Sequence, residues 1–454
     1  MAVGEGRRVY FRRQRWFWII FLGLAGLMVN PLAARANGPE AIRVGLVVKQ
    51  PEATVGADGP HALVEVSTGR QIAVAQEAGQ WRLTAGEKGI LVPGVPESPE
   101  AVRVVPLLKE AAPALVTVNG VRYRGEVEVR PAGSGTLTVV NVLPLEQYLY
   151  GVVPREMPAE WPVEALKAQA VAARTYALNR VLGGARQFQG FDVLATPDSQ
   201  VYGGVDAEDP RSTAAVDATR GEVLTYNGKP ILALFHSSSG GHTENSEYVF
   251  ESSLPYLRGV PDEFDGDSPH HSWTRDIGLD EIASALDRAG YRVGTLYGVE
   301  SIKPLGVSGR HRFLVARGST GSLPIKANAF RLALGLKSTL FEMNPREAGY
   351  RMVTRSYQPG DGVAVMGRAG MVTTRPPGQL VVKRGSGAGS LPSPVVAAGW
   401  QLVPAGIRFN GRGWGHGVGM AQWGARAMAR SGYNYRQILQ YYYQGAVLEP
   451  PGSG

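Results

Sequence analysis

The sequence predicts an α+β fold, in which a β-rich N-terminal part precedes a mixed α/β core built from distant motifs. Short apolar runs separated by Gly, Pro or Asn recur through residues 42–142, as expected of successive strands. An alanine-rich run then begins after Pro162, and Gly183-Gly184 follows its end, which is typical of a helix. The 59 glycines and 31 prolines among 454 residues favour many turns over long helices.

Residues 1–36 predict an export signal or a membrane anchor. Arginines precede an apolar run from Trp16 to Val29, and Ala34-Arg35-Ala36 fits a small-x-small cleavage site. The run is shorter than the ~20 residues of a spanning helix, which favours a cleaved signal and leaves the anchor open. This segment carries +5 of the chain's net charge of +8, so the basic character belongs mainly to export and indicates no nucleic-acid partner.

Residues 37–135 form the predicted β-rich N-terminal region. The strands expected in it and just after it are 42–48, 62–66, 71–74, 81–83, 102–107, 114–118, 125–129 and 136–142.

The core is predicted in two parts, 136–343 and 405–450, with a Gly/Pro-rich insertion at 344–404 whose residues 384–390 form a flexible loop. Asn227-Gly228 predicts a hairpin within 221–235. The helices expected in the core are 145–153, 163–178, 279–289, 328–334 and 420–430.

Glu156 is the first candidate functional residue. We expect it in a turn between Pro154 and Pro158, with Met157 and Trp161 as an apolar wall. Such a wall disfavours ionisation and can keep a carboxyl group protonated near neutral pH, as a general acid requires. The alternative is a structural carboxylate that caps the next turn or pairs with a neighbouring arginine.

Lys167 and Arg174 lie seven residues apart on the predicted helix, so they project from the same side. They could form an anion clamp beside Glu156, or they could lie on a solvated face.

Glycine occupies every second position from Gly411 to Gly419. If this stretch is extended, Arg412, Trp414, His416 and Val418 share one face, from which a sugar could be stacked and hydrogen-bonded. The alternative is a tightly packed core strand or loop.

A polar segment, Phe235 to Glu244, follows a predicted strand and contains Ser238 and Ser239. A serine hydrolase is disfavoured because the usual Gly-x-Ser-x-Gly frame is missing. The histidines His236, His242, His270 and His271 match no known ligand spacing, and the chain has no cysteine. We therefore expect no metal and no cofactor.

Together these motifs resemble the sporulation protein D/amidase-enhancer family, SpoIID/LytB. The similarity covers roughly 115–447, is weaker at 345–400, and is carried by residues 145–158, 164–177, 237–243, 334–341 and 411–425. The resemblance implies a peptidoglycan lytic transglycosylase with Glu156 as the acid/base, and it also implicates Arg174. Some family members hold zinc through histidine and cysteine, and the missing cysteine prevents that site from being carried over.

The implied substrate is a glycan strand stripped of its peptides, cleaved between N-acetylmuramic acid and N-acetylglucosamine to leave a 1,6-anhydro end. Lys167, Arg174, Ser238, Ser239, Arg412, Trp414 and His416 are the expected substrate-binding residues. The alternative is a non-catalytic, wall-binding enhancer of an N-acetylmuramoyl-L-alanine amidase. Either protein would be exported to the envelope or beyond it, with a possible role in sporulation and with a cell-wall amidase as a second candidate partner.

Overall fold

The computed structural model describes residues 41–87, 89–95, 100–107, 114–184, 190–356, 363–366, 372–375, 381–384, 387–390 and 396–449. Within these residues the α+β prediction is confirmed, because helices and several sheets alternate along the chain. No helix in the described ranges is long and apolar enough to cross a membrane. The predicted signal or anchor at 1–36 lies outside them.

Two sheets build the N-terminal part and share one apolar core. Their strand orders are β12-β1-β11-β10-β7-β3-β4 and β6-β5-β2-β8-β9. The strands are β1 Ala41–Gln50, β2 Glu52–Ala57, β3 His61–Glu65, β4 Gln71–Ala75, β5 Gly79–Ala85, β6 Ile90–Leu91, β7 Val102–Pro106, β8 Val116–Val118, β9 Val121–Tyr123, β10 Glu126–Gly133, β11 Thr136–Pro144 and β12 Val193–Leu194.

Every strand predicted in this part is confirmed in position, whereas β2, β6, β9 and β12 were not predicted. β1 pairs antiparallel with β11 from Ala41 opposite Pro144 onwards, so the β-rich unit continues to the start of the first helix.

An alanine-rich helix, α2, is the centre of the core. Ala165, Ala168, Ala172 and Ala173 are fully buried, because their small side chains let neighbouring helices approach closely. The helices are α1 Leu145–Glu156, α2 Val163–Leu182, α3 Pro210–Ala218, α4 Ser246–Val249, α5 Leu279–Arg288, α6 Ala327–Leu334, α7 Gln422–Arg430 and α8 Tyr435–Tyr442.

A second apolar core forms where α5 and α6 pack against two three-stranded sheets, β17-β18-β19 and β16-β25-β20. The remaining strands are β13 Val223–Tyr226, β14 Lys229–Pro230, β15 Phe235–His236, β16 Trp273–Gly278, β17 Leu296–Ser301, β18 Phe313–Gly318, β19 Gly321–Lys326, β20 Phe341–Ser356, β21 Val363–Met366, β22 Val372–Arg375, β23 Val381–Arg384, β24 Gly387–Ser390, β25 Val396–Gly411, β26 Met420–Ala421 and β27 Val447–Glu449.

The predicted hairpin at Asn227-Gly228 is confirmed, and both turn residues have positive φ. Its second strand, β14, is only two residues long. The next strand, β15, does not extend the hairpin but pairs in parallel with β26. The predicted flexible loop at 384–390 is wrong for residues 387–390, which form β24 and pair antiparallel with β23, while residues 385 and 386 lie outside the described ranges. β20 and β25 pair antiparallel along their whole length. The two ends of the predicted insertion at 344–404 therefore belong to one two-stranded stem.

Candidate functional site

A cleft of about 880 Å³ opens beside the C-terminal end of α1, and Glu156 lines it. The predicted turn at this residue is wrong, because α1 runs through Pro154 and Glu156 is its last residue. A proline in the final turn removes only one helical hydrogen bond, and the extended backbone of Met157 then ends the helix.

Two donors hold the Glu156 carboxylate in the cleft. The backbone N–H of Val201 donates to Oε1 at 2.9 Å, and the Gln422 side-chain amide donates to Oε2 at 3.4 Å. Gly151 brings the first donor within reach, since a Cβ there would lie 2.7 Å from the Tyr202 ring and 2.9 Å from the Gly204 carbonyl oxygen. The loop that carries Val201 can therefore pack directly on α1.

Burial raises the pKa of Glu156 above its ordinary value, while the hydrogen bonds from Val201 and Gln422 and the charge of Arg155 act in the opposite direction. The source of the burial differs from the prediction. Met157 is fully buried in the core, and Trp161 packs edge-on against Trp423. The apolar cleft wall instead includes Val201, Leu232, Leu234 and Phe235.

The face of α2 that lines the cleft carries Tyr176 and Arg180, which are four residues apart. Both were missed, although this spacing is the signal that places them together. The predicted clamp lies on another face: Arg174 is 1% exposed and binds Glu146 with two hydrogen bonds of 2.7 and 2.8 Å.

Lys167 lies on the same face as Arg174 and pairs with Glu164 at 2.8 Å. Its ammonium group also lies 5.6 Å from the centre of the Tyr435 ring. Neither cation lines the cleft, so the prediction that they form a substrate clamp is corrected.

The glycine-alternating stretch is not extended, which corrects the prediction of one shared face. Gly413, Gly415, Gly417 and Gly419 all have positive φ, so the chain turns at each of them. At Gly419 a Cβ would also lie 2.0 Å from the carbonyl oxygen of Leu234. The glycines therefore allow the chain to turn repeatedly and to pack closely against the segment around β15. The side chains between them point in different directions.

Two of those neighbours, Trp414 and His416, line the cleft. Trp414 is 45% exposed and lies edge-on to His270, with ring centroids 4.3 Å apart. Arg412 is exposed but does not line the cleft, and Val418 is fully buried.

Ser238 and Ser239 are fully buried, which corrects their assignment to the substrate surface. The Ser238 hydroxyl donates to Asp265 at 2.7 Å, and the Ser239 backbone N–H donates to the same carboxylate at 3.1 Å. Ser238 also exchanges two backbone hydrogen bonds with Trp414, so this loop positions the tryptophan and leaves Ser237 at the cleft.

His236 and His416 lie side by side in the cleft wall, with ring centroids 5.5 Å apart. Nδ1 of His236 is 3.2 Å from the carbonyl oxygen of Val418 and donates to it, whereas Nδ1 of His416 accepts from the Val418 N–H at 3.0 Å. Burial lowers the pKa of both, that of His416 to about 3, so both rings are neutral. No group of three or more potential metal-ligating side chains occurs in the described part of the chain.

Arg180 and Arg331 give the cleft positive charge. Arg331 donates to the Asn328 side chain at 3.0 Å and to the Lys337 carbonyl oxygen at 3.2 Å, and burial lowers its pKa. Within the described ranges, no carboxylate forms an ion pair with either arginine. Asp198, at the exposed rim, is the second carboxylate of the cleft. No sequence signal identified Arg331 or Gln422, because each reaches the cleft only through tertiary packing.

Comparison with known proteins identifies a family model that matches part of the chain. The model of the family described as SpoIID, Stage II sporulation protein, matches residues 133–226, which include α1, Glu156 and α2.

Curated relatives match over most of the chain. Stage II sporulation protein D of Bacillus subtilis is 31% identical over 322 residues, covering 68% of this chain and 75% of that protein. An uncharacterized protein of Brachyspira hyodysenteriae is 33% identical over 332 residues, covering 73% of each. The amidase enhancer of Bacillus subtilis is 32% identical over 303 residues, covering 66% of this chain but only 40% of that protein. A match of this extent shows that the chain belongs to the SpoIID/LytB family.

Proposed function

We propose that the protein is an exported peptidoglycan lytic transglycosylase that uses Glu156 as its only acid/base. The observation that carries this proposal is a carboxyl group with a raised pKa, held by two donors inside a large open cleft. The target is the bond between N-acetylmuramic acid and N-acetylglucosamine.

The proposed reaction needs one carboxyl group in two successive roles. Protonated Glu156 donates its proton to the bridging oxygen, and the bond from that oxygen to C1 of the muramic acid breaks. The resulting carboxylate takes the proton of the C6 hydroxyl, whose oxygen bonds to C1 and closes the 1,6-anhydro ring. The nucleophile belongs to the substrate itself, so positioning contributes much of the acceleration.

The positive charge of the cleft supports peptide-stripped strands as the substrate. Removal of the peptide leaves a carboxylate on the lactyl group of each muramic acid. Arg180 and Arg331 line the cleft without a carboxylate partner in the described part of the chain, and arginine can bind a carboxylate through two parallel hydrogen bonds. They take the role that the sequence assigned to Lys167 and Arg174.

The decisive experiment is mass spectrometry of peptide-free glycan digested by the purified protein. We expect 1,6-anhydro products, each lighter by one water than the product of hydrolysis. Glu156→Gln should abolish cleavage, since general acid–base catalysis contributes at least ~10²-fold.

Asp198→Asn separates this mechanism from hydrolysis, which ordinarily uses two carboxyl groups. The variant should keep its activity and its anhydro products. Hydrated products from the unaltered protein, together with their loss in Asp198→Asn, would contradict the proposal.

The similarity to an amidase enhancer supports a second candidate function, a non-catalytic wall-binding activator of an amidase. Glu156→Gln distinguishes the two, because an activator would still stimulate an added N-acetylmuramoyl-L-alanine amidase. The relatives named for sporulation support an envelope role during that process. Export through residues 1–36 completes the proposal.

A further inference from the structure

A second cavity, of about 190 Å³, lies beside the cleft between α4, the start of β18 and α6. It is smaller than the roughly 300–1,000 Å³ of cavities that enclose a drug-sized ligand, so it suits one compact unit. Asn328 and Leu332 line both the cavity and the cleft. They are four residues apart on α6, so a single helix face forms the border between the two spaces.

The border carries an exposed apolar side chain, that of Leu332. Leu332 is 65% exposed and lies between the two recesses, so its apolar side chain is available to a ligand that reaches both. An extended ligand can therefore cross α6 by contact with the Leu332 side chain and enter both recesses at once.

Two acids, Glu247 and Glu251, and two bases, Arg312 and Lys326, line the second cavity. Glu247 pairs with Arg258, which lies outside the lining, at 2.5 Å. Lys326 pairs with Glu251 at 2.5 Å. Burial lowers the pKa of His311, so that ring adds no charge. Both carboxylates of the lining are therefore already paired, and they would repel an anionic occupant but not a neutral one.

Aromatic rings complete the lining. The Arg312 guanidinium lies 5.5 Å from the ring centres of both Tyr248 and Phe313, which holds its N–H groups beside two apolar surfaces. A sugar ring has the matching chemistry, because its C–H faces pack on aromatic rings while its hydroxyl and amide groups accept hydrogen bonds.

We propose that the second cavity is a subsite for a neutral sugar unit of the same glycan strand that occupies the cleft. This inference rests on the proposed function, since it takes the ligand to be a glycan. The enzyme then binds the strand on both sides of α6, and strands too short to cross Leu332 bind more weakly.

The test measures binding rather than cleavage. Calorimetry with Glu156→Gln as the parental protein and peptide-free glycan oligomers of increasing length should show affinity rising until both recesses are filled. Adding Arg312→Ala should weaken the long oligomers about fivefold to tenfold and leave the shortest binding oligomers unchanged, as expected for one lost contact of ~1 kcal/mol. Arg317→Ala is the matched control, because Arg317 is also exposed, lies on β18 and pairs with Glu300 away from the cavity.

A second pair of variants tests the border. Leu332→Ala should weaken long oligomers more than short ones, whereas Leu182→Ala, at an equally apolar residue with 59% exposure, should change neither. Equal losses at all lengths, or no loss in either Arg312→Ala or Leu332→Ala, would overturn the second subsite while leaving the proposed function intact. If no oligomer of any length bound the parental protein, the proposed function and the subsite would both be overturned.

Discussion

Glu156 is held between two opposing influences on its pKa. Burial favours the protonated acid, while the N–H groups of Val201 and Gln422 favour the carboxylate. A group that must release a proton and then recover one benefits from this arrangement, because burial stabilises its acid form and the two donors stabilise its carboxylate.

The first prediction concerns the pH dependence of the proposed cleavage. Activity needs protonated Glu156 at the start, so kcat/KM should fall as pH rises through its pKa. Gln422→Leu removes a donor that stabilises the carboxylate, so this pKa should rise and the alkaline limb should move to higher pH. His416→Asn should leave the position of the limb unchanged, because a histidine with a pKa of about 3 does not titrate in that range. A Gln422→Leu limb shifted to lower pH would contradict the assignment.

The second prediction separates Trp414 from its neighbour. Trp414→Ala should raise KM roughly threefold to tenfold, the effect of losing an aromatic contact of ~1 kcal/mol, with little change in Tm because the side chain is 45% exposed and lies outside the apolar cores. His416→Ala should lower Tm, since its Nδ1 accepts the Val418 N–H. Steady-state kinetics and thermal melts of both variants check this, and a large Tm loss in Trp414→Ala would assign that ring to packing.

At the scale of elements, α2 shows what a helical pattern specifies and what it leaves open. The alanine content and the flanking proline and glycines predicted the helix correctly. The spacing of Lys167 and Arg174 correctly placed them on one side, but only the packing of α1 and α8 decides which side is buried. Tyr176 and Arg180, on the other side, reach the cleft.

The third prediction follows from these two faces. Arg174→Gln should lower the free energy of unfolding by roughly 3–5 kcal/mol, because it leaves the Glu146 carboxylate largely buried without its partner. Arg180→Gln should keep the parental stability and weaken binding of peptide-free strands. Denaturant unfolding and strand-binding assays distinguish them. An Arg174→Gln protein with parental stability and lost binding would restore the predicted clamp.

The fourth prediction concerns the contact between α1 and the loop at 199–204. Gly151→Ala should displace that loop, because the added Cβ would meet Tyr202 and the Gly204 carbonyl oxygen, and the Val201 N–H would move away from Glu156. We expect most activity to be lost while the fold is retained. Gly298→Ala is the control, since a Cβ there meets nothing within 4 Å. Circular dichroism and turnover of both proteins test it, and unchanged turnover in Gly151→Ala would show that this donor is dispensable.

Across the whole molecule, local patterns predicted elements better than they predicted the site. Alternating apolar runs and turn residues located the N-terminal strands because each strand depends on its own side chains and turns. The prediction that the glycine-alternating stretch is extended was wrong, since glycine is compatible with both an extended strand and a left-handed backbone. Glu156 was found from its motif, whereas Gln422 and Arg331 could not be found because their neighbours come from distant parts of the chain.

The fifth prediction is a pH dependence of global stability. Asp262 is buried beneath α7 and α8, where it accepts a hydrogen bond from Tyr442 at 3.1 Å. Burial, with the charge of Asp265, raises its pKa to about 7. Because this exceeds the value of ~3.9 in an unfolded chain, its contribution to stability is complete below about pH 4 and is lost as pH rises to about 7.

Asp262→Asn should therefore raise Tm at pH 8 and change it little at pH 4. Asp267→Asn, at an exposed position, should not alter Tm at either pH. Melting curves of the three proteins at both pH values test the prediction. A stabilisation by Asp262→Asn that is equal at pH 4 and pH 8 would contradict it.

The hydrogen bond between Gln422 and Glu156 joins residues 266 positions apart. Ribosomal synthesis delivers Glu156 long before Gln422, Trp414 and His416, and contacts of such sequence separation form slowly because a large loop must close first. A growing chain therefore carries its carboxyl group without the partners that tune and enclose it until the segment from Trp414 to Gln422 has been made. The proposed wall-cutting activity can begin only after that segment has docked beside α1, which delays the appearance of a lytic protein during synthesis.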